Sequence, residues 1–198
     1  MDTYHTISEP SEGKYTEKMS KFYSHAFPVT TVDEARERIA DMTRKYRDSR
    51  HVCWAFMLGS DRAMFMSNDN GEPSGTAGKP ILGQINSFGL TDIVVIVARY
   101  FGGIKLGTSG LIAAYREAAR LALEAADIVE MHDMTKLTVT FPYQSIGEVM
   151  KVIKADTDVN VLGQTFDNTC VIDMSIRADK ASVLSGRLSS IAGTTVLP

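Results

Sequence analysis

The chain is poor in cysteine: Cys53 and Cys170 are the only two in 198 residues. They lie far apart, so neither a metal-ligand spacing nor a disulfide framework follows, and a reducing cytosol is the simplest expected setting. No window approaches the roughly 20 apolar residues of a membrane span, and no membrane contact is expected. Met1 to Glu17 is polar and has no apolar segment behind a basic start, which argues against a secretory signal. A basic excess is also missing. The 21 Lys+Arg and 24 Asp+Glu leave a net charge of -3, so any polyanion site has to be a local patch. Histidine is scarce as well, with four in the chain and none in its glycine-rich stretches.

Glycine, by contrast, is concentrated. Gly71, Gly75, Gly78, Gly102, Gly103, Gly107 and Gly110 fall in two loops, each opening into a helix. Such clusters mark tight turns or backbone that something approaches closely. Around them the pattern is that of an α/β (α+β) protein. Residues 1–17 are expected as an N-terminal arm, loosely held over Met1–Gly13, 18–130 as one domain, and 135–198 as a second beyond a polar hinge. A first strand is expected over Ser20–Val29. Thr31 and Glu34 form a capping-box pattern, and Ala35, Ile39, Met42 and Tyr46 then recur at helical spacing. His51–Leu58 and Ala63–Ser67 read as strands, with Met57, Met64 and Met66 filling core gaps. A helix is expected over Pro80–Phe88, a strand buried on both faces over Asp92–Ala98, and a long alanine-rich helix over Ser109–Ala126. The second domain reads β-α-β-β-α with an optional last strand at Gly193–Leu197, a ferredoxin-like order.

Two kinds of chemistry suit the glycine loops. Gly75-Thr76-Ala77-Gly78-Lys79 invites comparison with a nucleotide P-loop. That motif requires glycine where Pro73 stands and a hydroxyl where Pro80 stands. The second loop lacks the G-x-G-x-x-G spacing of dinucleotide sites. A looser anion site remains, because helix N-termini present free N–H groups and partial positive charge. Its candidates are Lys79, Arg99 and Lys105 as cations, and Gly75, Thr76, Gly78, Gly102, Gly103, Gly107 and Thr108 as backbone and hydroxyl donors. Tyr100 and Phe101 could stack on a base beside them. The structural alternative is that the glycines serve turns, that Arg99 pairs with Glu72 or Asp69, and that the aromatics are core. For catalysis, Asp69 and Glu72 are a candidate carboxylate pair. His25 and His51 would have to reach them through folding, and Ser74 and Cys53 have no identifiable activating partner. No catalytic residue, metal or cofactor is assigned.

Two long runs carry a family resemblance. They are Gly71-Glu72-Pro73-Ser74-Gly75-Thr76-Ala77-Gly78-Lys79-Pro80 and Arg99-Tyr100-Phe101-Gly102-Gly103-Ile104-Lys105-Leu106-Gly107-Thr108, followed by Leu111 and Ala114-Tyr115. They resemble the IMPACT family, whose bacterial members include YigZ-type proteins. The resemblance implies a first domain like domain IV of elongation factor G, with a left-handed βαβ crossover. It implies a second, ferredoxin-like domain similar to domain V of that factor. Eukaryotic relatives regulate translation under amino-acid starvation by competing for the activator of an initiation-factor kinase. For bacterial-type members the resemblance implies contact with RNA or the ribosome, without enzymatic activity, in the cytoplasm. Asn70, Ser109 and Ala113 depart from the family pattern, where an acid, a glycine and a basic residue are usual. Two alternatives remain: a regulator that binds a translation-regulating protein, and an enzyme acting on a small phosphorylated ligand.

Overall fold

A computed structural model describes residues 3–198. The chain forms two compact units, Tyr4–Met131 and His132–Pro198, with Thr3 grouped with the second. In chain order the first contains β1 (Thr3–Ile7), β2 (Ser11–Glu17), β3 (Ser20–Pro28), α1 (Val32–Lys45), β4 (His51–Leu58), β5 (Met64–Asn68), α2 (Gly78–Ser87), β6 (Ile93–Tyr100), α3 (Gly107–Glu124) and β7 (Ile128–His132). The second contains β8 (Met134–Pro142), α4 (Ile146–Lys154), β9 (Asn160–Thr165), β10 (Thr169–Arg177), α5 (Ala178–Ser189) and β11 (Thr195–Leu197).

Five strands of the first unit form one sheet in the order β2-β3-β6-β4-β5, while β1 pairs with β7. Strands β3 and β4 flank β6 and run antiparallel to it. They are therefore parallel to one another, and α1 crosses between them. Strand β6 is buried on both faces because helices cover both sides of this antiparallel sheet. Its odd residues Ile93, Val95 and Val97 join the cluster of α2 and α3, packing near Ile81, Ile85, Ala118 and Ala122. Its even residues Val94, Ile96 and Ala98 join the cluster of α1, with Ala35, Ile39 and Met42. The side-chain period of two divides them.

Helix α1 begins where the capping pattern places it. Thr31 Oγ1 accepts from the Glu34 N–H at 3.2 Å. The returning carboxylate reaches one residue further back than the usual box, accepting from the Thr30 N–H at 2.7 Å. A cap of this kind contributes about 1 kcal/mol.

Three local expectations are corrected. Residues 3–17 are two strands rather than a loose arm, with Met1 and Asp2 outside the described residues; β2 pairs with β3 from Ser11↔Ala26 to Glu17↔Ser20. Gly13 lets this strand approach α3, since a Cβ there would stand 2.8 Å from the Ala122 nitrogen. The expected hinge at Glu130–Thr135 is occupied by the end of β7 and the start of β8. Met57 is buried as expected, but Met64 and Met66 are exposed. They lie on β5, at the sheet edge.

In the second unit the sheet order is β11-β8-β10-β9, with all three pairings antiparallel. Counted within that unit this is 4-1-3-2, the ferredoxin-like arrangement. Leu137, Val139, Phe141, Ile172 and Met174 pack with Val149 and Ile153 of α4 and with Leu184 and Leu188 of α5.

Candidate functional site

Strand β6 runs two residues past its apolar stretch, and those two residues part company. Arg99 continues the odd series towards α3, whereas Tyr100 continues the even series towards α1. Arg99 is only 6% exposed. Its Nη1 donates to Glu72 Oε1 at 2.7 Å, and the same oxygen accepts from the Tyr115 hydroxyl at 2.8 Å. Glu72 and Arg99 thus form a buried pair, the arrangement in which losing one partner strands the other charge. Arg99 Nε is buried and finds no acceptor among the described residues.

His51 arrives beside this pair through the sheet register, opposite Arg99. Its Nδ1 lies 2.8 Å from the Asn70 carbonyl. A carbonyl can only accept, so Nδ1 carries the proton. Nε2 is then turned to Glu72 Oε2, 4.0 Å away. Cys53 lies below, its thiol donating to the Asp69 carbonyl at 3.0 Å. Burial pushes that thiol up to about 12, so it is no nucleophile at neutral pH. Burial likewise raises the Tyr115 hydroxyl, with Cys53 and Glu72 adding to the effect.

Asp69 does different work. Its carboxylate accepts from the Gly75 N–H at 2.8 Å, the Ala77 N–H at 3.0 Å and the Gly78 N–H at 2.8 Å. It occupies the N-terminus of α2, where an external anion would otherwise sit. Burial pushes the Asp69 carboxyl upward, but these three backbone donors, with Lys79 nearby, outweigh it and hold the group below its ordinary value. Thr76 is buried, and its hydroxyl donates to the Pro73 carbonyl at 2.6 Å. Gly75 has φ +77°, and Gly78 sits where a Cβ would meet the Asn68 backbone at 2.8 Å. The first loop is therefore closed by its own residues.

The second loop is pinned at one point. A Cβ on Gly102 would stand 2.0 Å from the Met19 carbonyl carbon, and the Gly102 N–H donates to Ser20 Oγ at 3.2 Å. Gly103 and Gly107 adopt φ of +88° and +71°, which glycine allows at little cost. Helix α3 then starts without a side-chain cap and without an acid in its first turn. Its first residues, Gly107 and Thr108, line a cavity of about 440 Å³ that both loops share. Gly71, Glu72 and Pro73 come from the first loop, and Phe101, Lys105, Gly107 and Thr108 from the second. Arg50, His51, Arg99, Leu106 and Leu111 complete the wall. Arg99 and Lys105 thus meet, whereas Lys79 lines a separate hollow with Gly75 and Arg116. Tyr100 is also elsewhere, its hydroxyl donating to Asp48 at 2.7 Å. Arg50 carries no signal in the sequence. It reaches the cavity only because it precedes β4.

Residues 18–123, which hold both loops, match the family model of the Impact N-terminal domain. The chain belongs to the IMPACT family. The IMPACT family member YvyE of Bacillus subtilis is 35% identical over 149 residues, covering 75% of this chain and 69% of that protein. The member YigZ of Escherichia coli is 28% identical over 177 residues, covering 88% and 86%. A crystal structure described as a hypothetical protein matches with a TM-score of 0.78 and 26% identity, covering 100% of this chain and 97% of that one. Among the described residues of this IMPACT chain, no three or more His, Cys, Asp or Glu side chains are grouped to hold a metal ion. No described helix is long and apolar enough to cross a membrane.

Proposed function

We propose that this IMPACT-family chain contacts RNA or the ribosome through the cavity between its two glycine loops, binding phosphate at the N-terminus of α3. Family membership supports a translation-related regulatory role. The observation that carries the phosphate reading is that an uncapped helix end and Arg99, whose buried Nε has no acceptor among the described residues, line one cavity. Buried donors are nearly always satisfied, and a helix N-terminus favours an anion. Lys105 and Arg50 add exposed cations, and the Thr108 hydroxyl a further donor. The local charge is positive although the whole chain is acidic.

The test is binding of a labelled single-stranded RNA oligomer at two salt concentrations, comparing the wild type with Arg50→Ala/Lys105→Ala. Affinity should fall with salt, with a log–log slope of about -0.7 per phosphate contacted, and the variant should lose about that much slope per cation removed. Salt-independent binding, or a folded variant that binds as the wild type does, overturns the proposal. A second reading, a small phosphorylated ligand, is favoured by the volume of about 440 Å³, within the range of small-molecule sites. It predicts thermal stabilisation by a mononucleotide where an RNA oligomer gives none.

A further inference from the structure

Phe101 lines two cavities. One is the phosphate cavity between the loops. The other, of about 690 Å³, opens on the α1 side of the sheet and is walled by Met19, Lys21, Tyr23, Tyr46 and Tyr100. We infer that this second hollow is a base-stacking subsite for unpaired RNA, continuous with the phosphate cavity across Phe101; it rests on the RNA reading above.

The hollow is aromatic and held in place. The Tyr23 and Tyr46 rings stack with centroids 5.8 Å apart and planes 20° from parallel. Tyr100 meets them edge-on, 5.8 Å from Tyr23 and 6.4 Å from Tyr46. Two hydroxyls are tied, Tyr100 to Asp48 at 2.7 Å and Tyr46 to His25 Nε2 at 2.7 Å. Rings fixed in advance lose little freedom when a planar ligand stacks on them. The three tyrosines are only half-buried, so they are not simply core.

The surrounding charge suits a nucleic acid strand. Lys21 is in the wall. Lys14 Nζ lies 5.5 Å from the Tyr23 ring centroid and Lys45 Nζ 5.3 Å from that of Tyr46. Between the cavities, Phe101 is 50% exposed, and the Arg99 guanidinium lies 5.7 Å from its centroid. The order across the surface is anion site, aromatic ridge, aromatic hollow with cations. Single strands are bound by this combination of cationic track and stacking platforms. A duplex keeps its base faces inside its own stack and cannot offer them to the hollow.

The test uses the full-length wild type and three oligomers of one length: single-stranded RNA, the same backbone with abasic sugars, and the RNA duplex. Affinities are read by fluorescence anisotropy. Abasic sugars keep the phosphates and remove the stacking faces, so their affinity should drop about tenfold or more, with the salt slope preserved. The duplex should also bind more weakly than the single strand. Tyr100→Leu, checked by thermal melting, should lower affinity for the normal oligomer but not the abasic one. Tyr100→Phe, which keeps the ring, should retain affinity. Salt-sensitive binding that is equal for normal and abasic strands overturns the stacking subsite while leaving the phosphate cavity standing. No salt-sensitive binding to any oligomer overturns both.

Discussion

The two glycine loops look alike in sequence and end alike, each at the N-terminus of a helix. They differ in what meets the helix end. The first loop supplies its own anion: Asp69 takes three backbone N–H groups at the start of α2, and the glycines let the chain curl tightly enough to bring it there. The second loop supplies none. Its glycines press it against Met19 and Ser20 at Gly102, and α3 begins with its donors free of any side-chain cap. Glycine density thus has two meanings within one chain, closure in the first loop and access in the second. Only the second leaves its helix end without a carboxylate of its own.

The largest expected effect is at the link between the loops. Arg99→Ala would leave Glu72 buried beside Tyr115 without its counter-charge, and should cost about 3–5 kcal/mol of stability, measurable by denaturant unfolding. A loss under about 1 kcal/mol would mean that Glu72 is free to relax. For this reason Arg50 and Lys105, not Arg99, are the positions for binding tests. Next comes the closed loop. Asp69→Ala removes the carboxylate that caps α2 and should cost about 2 kcal/mol. The folded carboxyl is held below its ordinary value, so its contribution is full above an unfolded pKa of about 3.9. It is lost as pH falls through the lower folded value. Wild type should therefore lose stability faster than Asp69→Asn between about pH 5 and pH 2, and parallel curves would contradict this account.

The second loop can be made to resemble the first. Ser109→Asp places an acid in the first turn of α3 and should raise stability by about 0.5 kcal/mol while weakening RNA binding. Stabilisation without loss of binding would separate the helix end from the site. The smallest effect is expected at Lys79. Lys79→Ala should leave RNA affinity and its salt slope unchanged, whereas Lys105→Ala reduces both, because only Lys105 lines the shared cavity.

Much of this fold is legible in local pattern. The β-branched run of β6, the cap of α1 and the order of the second unit all follow from spacing within a few residues. Strand β2 is harder to see, since SEGKYTE contains no hydrophobic residue other than Tyr15 and takes its structure from pairing with β3. The site is legible in kind but not in geometry. Its glycines, Arg99 and Lys105 stand out, but the target of Asp69 depends on the curvature of a loop. The apolar pattern ends β6 at Ala98, so Arg99 and Tyr100 look like neighbours in one loop. Two more residues of strand send them to opposite sides of the sheet. His51 is brought to Arg99 by a register between strands 48 residues apart in numbering, which no local window contains.

That parity sets the tolerance of the chain to changes in length. The loops on either side of β6 carry no side-chain alternation, so a change in their length does not exchange the two faces of the sheet. Strand β6 has no such freedom. One residue inserted between Ile93 and Arg99 would turn the guanidinium towards α1 and the phenol towards Glu72, exchanging the contents of both cavities at once. The two hollows can therefore diverge by replacement of side chains, but insertions and deletions within the strand would move them together.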